Sequence, residues 1–200
     1  MLEAVLAIPL VAYSIILHEI SHGWIADRLG DPTARLSGRL TLDPRPHIDP
    51  LMTIGLPIIT FLLGGVVFGA AKPVPIDPFN FRQPKKDTAL TAAAGPIVNL
   101  LIALFFAILF RLPIFNILDS IFLFVIQVNV FLAVFNLLPI PPLDGFKVVG
   151  GLIPDQYQAF WNSLERFGLT FILIAFFFFN TIISTVILPV SRTILKILLP

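Results

Sequence analysis

The segment of this chain best equipped for chemistry is His18-Glu19-Ile20-Ser21-His22. Residues four apart lie on one face of a helix, so both imidazoles can reach one divalent ion. Glu19, beside them, is placed to take a proton from a water at that ion. The residues upstream, LEAVLAIPLVAYSIIL, are otherwise apolar. An ionisable group inside a membrane span costs about 2.5–3.5 kcal/mol on insertion scales, so three together need a compensating task. The bland alternative ends the helix at Leu17 and makes HEISH a wet interfacial turn. Against it, apolar Ile20, Trp24 and Ile25 continue the helical pattern, and the whole chain has 3 His.

A catalytic zinc site takes three protein ligands and keeps a position for water. The chain has 0 Cys, which excludes thiol catalysis, disulfides and thiolate metal sites, so the third ligand must be His, Asp or Glu. Asp144 is the best candidate. In Asn136-Leu-Leu-Pro139-Ile-Pro141-Pro142-Leu-Asp144-Gly145 the prolines break a helix at the end of an apolar run, and Gly145 permits a turn. An ordinary solvated turn is the competing reading. His47, in Pro46-His47-Ile48-Asp49-Pro50, is a rival ligand and reads better as the cap of the segment that follows. Gly95-Pro96-Ile97-Val98-Asn99 lies within another apolar stretch. Its small residues Ala92–Gly95 allow close helix approach, while Asn99 is either interhelical glue or a group that holds an active-site loop or substrate backbone. Asn136 admits the same two readings.

The elements that must carry these residues belong in lipid. Of 200 residues, 57% are hydrophobic and 12% charged, with 20 Phe; a soluble domain carries about 25% charged residues. The net charge of +1 gives no hint of nucleic acid or of an acidic partner. The expected fold is an all-α integral membrane protein, a polytopic helix bundle of four to six membrane segments. It has a small β or extended element at its cytoplasmic mouth. Residues 1–200 are expected to form a single domain with no appended soluble module. The N-terminus lacks the basic region and cleavage site of a signal peptide and reads as a retained span.

Leu2–Ala26, Thr88–Leu112, Ser120–Ile140 and Gly168–Leu188 are long and apolar enough to cross. Leu51–Ala71 is interrupted by Pro57 and Gly64–Gly65, and basic clusters flank it: Arg28, Arg35, Arg39 and Arg45 before, Lys72, Arg82, Lys85 and Lys86 after. Both clusters favour the cytoplasm, so this stretch is expected to dip in and return. His18 and Asp144 then fall at the same ends of parallel helices. Ala34–Leu42 alternates like a short strand, and the prolines of Ala71–Phe81 favour an extended edge. The tail Ser184–Leu199 reads as a short half-helix or an interfacial one, and Gln156–Arg166 as amphipathic.

HExxH inside the first span, GPxxN in a later one and NxxPxxPxDG closing the next together resemble the site-2 protease family of intramembrane metalloproteases. The linking segments FGAAKPVPIDPFNFR and SGRLTLDPRPHIDP are similar to those of compact members without a PDZ or CBS domain. The resemblance covers roughly Ile15 to Gly151. It implies one zinc per chain held by His18, His22 and Asp144, Glu19 as catalytic base, and Asn99, Asn136 and Pro139 in motifs that shape the site and accommodate substrate. It also implies a transmembrane protein substrate and a place in the lipid bilayer, in the cell membrane of a prokaryote, with the active site towards the cytoplasm. Oligomeric state is not readable. One departure is Gly145-Phe146-Lys147 where Gly-Gly-Arg is common; the cation and the ligand are kept. Prenyl-peptide endopeptidases share only HExxH with this chain, and a transporter should show internal symmetry between halves, which is not apparent.

Overall fold

The computed structural model describes residues 2–55, 57–59, 62, 69, 71–168 and 178–199. Eight α-helices carry the described architecture: α1 (Leu2–Leu29), α2 (Thr33–Leu36), α3 (Pro84–Phe110), α4 (Asp119–Asn136), α5 (Asp144–Gly150), α6 (Asp155–Glu165), α7 (Phe179–Ile182) and α8 (Leu188–Leu198). Among the described residues, three helices are long and apolar enough to cross a membrane, over Leu6–Leu29, Pro84–Phe110 and Asp119–Asn136. Of the expected span Gly168–Leu188, residues 169–177 lie outside the described residues.

α3 is the hub, packing against α1, α4 and α5. Ala7 of α1 clusters with Ile121 and Val125 of α4, and Asn129 Nδ2 donates to Ser14 Oγ at 3.0 Å. The starts of α1 and α4 therefore lie together and the two helices run parallel. α3 runs the opposite way, with Ile102 beside the Ala7 cluster and Thr91 beside His22. A second core joins Ala103 and Ala107 of α3 to Ile126, Val130 and Val134 of α4 and to Ile187. Ile187 belongs to a π-helical turn, Ile183–Ile187, that joins α7 to α8. Arg111, just past α3, donates to Leu198 O at 3.0 Å, so the tail is a helix docked along the bundle. α6 forms as an amphipathic helix over the expected residues.

The alternation over Ala34–Leu42 does not make a strand, and among the described residues there is no strand at all. Two glycine-terminated turns explain the difference. Gly30 (φ 116) ends α1, with Asp31 N–H donating to Ala26 O at 2.9 Å and Gly30 N–H to Asp27 O. Gly38 (φ 65) ends α2 in the same manner, through Arg39 N–H to Ala34 O and Gly38 N–H to Arg35 O. A left-handed residue after the last turn satisfies the loose carbonyls, and the local hydrogen bonds outcompete extended pairing.

Residues 71–77 have no regular structure and form a proline-rich strap laid across the ends of α1 and α2. Lys72 N–H donates to His47 O at 2.9 Å, and Arg39 Nη2 donates to Lys72 O at 2.7 Å. His47 is buried and its Nε2–H donates to Thr41 O at 2.9 Å. It anchors the strap through its backbone carbonyl but does not cap the segment that follows, where Asp49 Oδ1 accepts from Leu51 N–H at 2.9 Å; among the described residues His47 takes no part in a metal cluster. The His47–Lys72 bond also sets the two ends of the interrupted stretch side by side. Residues 56, 60–61, 63–68 and 70 of that stretch lie outside the described residues.

Asp31 locks the far end of the strap. Its buried carboxylate accepts from Thr33 N–H and Oγ1, from Asp77 N–H at 2.8 Å and from Asn80 Nδ2 at 2.8 Å. Burial alone raises the affinity of this carboxyl for a proton. The donors from Thr33, Asn80 and Asp77 outweigh it and hold the group below its ordinary range.

Candidate metal centre

His18 and His22 project from one face of α1, both buried. They stand eleven and seven residues before the helix end, roughly 16 and 10 Å along its axis at 1.5 Å per residue. Asp144 opens α5. It reaches the histidines because the chain folds back sharply after α4. Leu143 N–H donates to Ile140 O at 2.9 Å, and a Cβ on Gly145 would stand 2.1 Å from Leu137 O. Gly145 is thus required by close backbone approach, whereas the sequence suggests a turn residue. Phe146 stacks on Trp161 with centroids 4.4 Å apart, and Trp161 Nε1 donates to Phe146 O, which holds α5 against α6.

The result is one convergence of three ligand atoms. His18 Nε2 lies 3.2 Å and His22 Nε2 3.3 Å from Asp144 Oδ2, and the two Nε2 atoms are 3.1 Å apart. Ligands about 2.0–2.1 Å from zinc at tetrahedral corners are about 3.3 Å from one another, so the spacing matches a common ion. Asp144 Oδ2 is buried and, among the described residues, lacks a hydrogen-bond partner; a cation between it and the imidazoles removes that deficit. His22 Nδ1–H donates to Thr91 O at 2.7 Å, which fixes the tautomer that bares Nε2, as metal-bound histidines commonly do. His18 Nδ1 has no partner among the described residues. The donor set of two imidazoles and a carboxylate suits zinc.

Two residues complete the cradle. A Cβ on Gly95 would stand 2.4 Å from His18 Cε1 and 2.5 Å from the Nε2 of both histidines. The close approach that this glycine allows is therefore to the imidazoles as well as between helices. Glu19 Oε2 accepts from Val74 N–H at 2.9 Å, so the strap holds the carboxylate next to the centre. That amide contact is not legible in the sequence, because nothing local marks Val74 as a partner of a residue 55 positions earlier.

The remaining sequence candidates are placed differently. Asn99 is 1% exposed, one turn beyond Gly95, and neither its Oδ1 nor its Nδ2 has a partner among the described residues. Asn136 turns back on its own helix, donating to Leu132 O at 2.9 Å. Pro139 is exposed in the loop between α4 and α5.

Comparison with known proteins agrees with this chemistry. The model of peptidase family M50 matches residues 114–179. The chain is 37% identical to the "Putative zinc metalloprotease YwhC" of Bacillus subtilis, over 82% of this chain and 76% of that protein. It is 34% identical to the "Putative zinc metalloprotease Rip2" of Mycobacterium tuberculosis, over 82% of this chain and 63% of that one. A shorter match, 36% identical over 46% of this chain and 49% of the relative, is to the "Putative zinc metalloprotease MJ0611" of Methanocaldococcus jannaschii. No solved structure matches the chain. With HExxH in its first helix and a relative matched over most of both lengths, this chain belongs to peptidase family M50, the site-2 protease family of zinc metalloproteases.

Proposed function

We propose that the protein is an intramembrane zinc endopeptidase that hydrolyses peptide bonds in or near transmembrane segments of other membrane proteins, as a step of regulated intramembrane proteolysis. The observation that carries this reading is the meeting of His18, His22 and Asp144 within a bundle of apolar helices, 10 Å or more from the end of α1 by helix rise. A soluble peptidase gains nothing from placing its metal at that depth. One zinc per chain fits the single His/Asp cluster found among the described residues.

When bound, zinc brings the pKa of water towards 7 and polarises a carbonyl. The protein's own groups do the rest. Val74 N–H fixes one oxygen of Glu19, which leaves the other to accept a proton from the attacking water and deliver it to the leaving amine. Asn99 is a buried amide whose donors and acceptor are unused among the described residues, suited to the backbone of an unwound substrate. Roles for Asn136 and Pro139 rest on the family resemblance alone. Helical peptide groups are shielded by their own hydrogen bonds, so a substrate must open locally. The strap is a poor donor edge for it: Lys72 and Val74 N–H are already engaged, and Pro73 and Pro75 have none. Pairing there takes substrate N–H groups onto strap carbonyls.

The site faces the cytoplasm in this reading, because the end of the bundle nearer the centre carries Arg28, Arg35, Arg39, Arg45, Lys72, Arg82, Lys85 and Lys86, against Arg111 and, on α8, Arg192 and Lys196 towards the other. Bacterial and archaeal relatives support the cell membrane of a prokaryote. The test compares membrane-protein fragments in cells expressing wild type or Glu19→Gln, with zinc measured on both purified proteins. Glu19→Gln is expected to hold zinc at the wild-type level and to produce none of the fragments. Normal turnover by this variant would end the general-base assignment, and products confined to soluble peptides would end the intramembrane one.

A further inference from the structure

Where α1 ends and α3 begins, Arg28, Arg82 and Lys86 line a cavity of about 240 Å³ together with Leu29, Leu90 and Asp87. All three cations are exposed. Four other cations at this end of the bundle are committed within the chain. Arg35 pairs with Asp27 at 2.9 Å, Arg45 with Asp43, and Lys85 with Asp155 at 2.7 Å, while Arg39 is spent on Lys72 O. Among the described residues, no carboxylate forms an ion pair with Arg28, Arg82 or Lys86. Asp27, next to Arg28 in sequence, is taken by Arg35. Asp87 does face the cavity, but one of its oxygens already accepts from Gln83 N–H at 2.8 Å. Three cations against one carboxylate leave an excess of two positive charges.

The level of the cavity is as telling as its charge. Arg28 lies ten residues beyond His18, roughly 15 Å along α1, and Lys86 nine before Gly95, roughly 14 Å along α3. Half of an apolar layer about 30 Å thick is about 15 Å, so a metal centre at mid-depth puts the cavity at the headgroups. Trp24, 49% exposed, supports that level, since Trp is enriched at the membrane–water boundary; the Arg28 guanidinium carbon sits 4.8 Å from its ring centroid. Leu90, 48% exposed, supplies an apolar wall beside the cations. Unpaired cations above an apolar wall, at headgroup level between two spans, match the phosphate and the acyl chains of one molecule.

We propose that this cavity binds the phosphate-bearing headgroup of an anionic phospholipid. The proposal rests on the membrane placement of the metal centre in the peptidase reading but not on peptidase activity, so lipid binding and proteolysis can fail separately. It is tested by native mass spectrometry of the purified chain titrated with phosphatidylglycerol or with phosphatidylcholine of the same acyl chains. Phosphatidylglycerol should bind at least tenfold more tightly. The triple variant Arg28→Gln/Arg82→Gln/Lys86→Gln should weaken it on the order of 100-fold, from roughly fivefold per basic residue near the surface, and leave phosphatidylcholine unchanged. A control, Arg35→Gln/Arg45→Gln/Lys85→Gln, removes as much charge from the same end and should keep the wild-type affinity. If the triple variant does not fold, each single variant should still lose roughly fivefold. Equal affinity for the two lipids, an equal loss in the control, or wild-type affinity in all three single variants overturns the proposal. So does displacement of phosphatidylglycerol by inorganic phosphate at matching concentration, which marks a site for small anions.

Discussion

Replacing Gly95 by alanine tests the metal centre without touching a ligand. The new methyl would lie 2.4 Å from His18 Cε1 and 2.5 Å from the Nε2 of His18 and of His22. Carbon contacts are comfortable at about 3.5 Å, so the rings must retreat by about 1 Å. They cannot do so freely: both are buried, and His22 is tied to Thr91 O. Zinc–ligand distances tolerate about ±0.2 Å, so a displacement five times larger disrupts coordination by two of the three ligands. Overpacking alone costs about 1–3 kcal/mol. The loss of zinc affinity should exceed the roughly 10–100-fold typical of second-shell changes. The assay is zinc per chain after equilibration with graded chelator, alongside thermal unfolding of the metal-free protein to report overpacking separately. Gly55→Ala is the control, because its methyl meets nothing nearer than 3.4 Å, and it should bind zinc as wild type does. Wild-type zinc affinity in Gly95→Ala would mean that the imidazoles do not meet at Gly95 and that the convergence of ligand atoms is incorrect.

Other changes probe the strap. Val74→Pro removes the N–H that holds Glu19 while keeping the chain between two existing prolines; zinc content should stay whole and turnover of a membrane substrate fall by about tenfold, about 1.4 kcal/mol, in line with one charged hydrogen bond. Asp31→Asn should release the far end of the strap, at a local cost of about 2–3 kcal/mol, read as faster hydrogen exchange at Asp77 and Asn80. Because the Asp31 carboxyl is held below its ordinary range in the fold, its contribution is complete above the unfolded value of about 3.9 and is lost as pH falls through the lower, folded value. The protection factor of the Asp77 amide in the wild type, the intrinsic fall of exchange with pH having been divided out, should therefore drop on acidification below about pH 4, and in Asp31→Asn it should be low already at neutral pH.

His18, His22 and Asp144 stood out in the sequence as candidate ligands because their chemistry is local and their cost is high. Two histidines four apart in an apolar helix, and an aspartate after a proline-broken one, have few other reasons to stand in lipid. The strand expected over Ala34–Leu42 failed on a competing local signal: Asp31-Pro32-Thr33 starts a helical turn and Gly38 stops it, and those hydrogen bonds form without a distant partner. Gly95 and Gly145 were visible as small residues, but what a glycine makes room for is decided by the facing chain. Here that is a pair of imidazoles in one case and the Leu137 and Leu138 carbonyls in the other.

Glu19 and Val74 carry the same lesson furthest. HExxH puts Glu19 beside the candidate ligands but does not orient it, and a half-buried carboxylate with no donor would carry a desolvation cost. The chain supplies the donor from a segment whose neighbouring residues are prolines and have no N–H to offer. Pro73 and Pro75 leave Val74 the only amide from 73 to 75 that can reach Glu19. The proline pattern that reads from sequence as a blunt, extended edge therefore acts in the fold as a selector, aiming one backbone N–H at the Glu19 carboxylate.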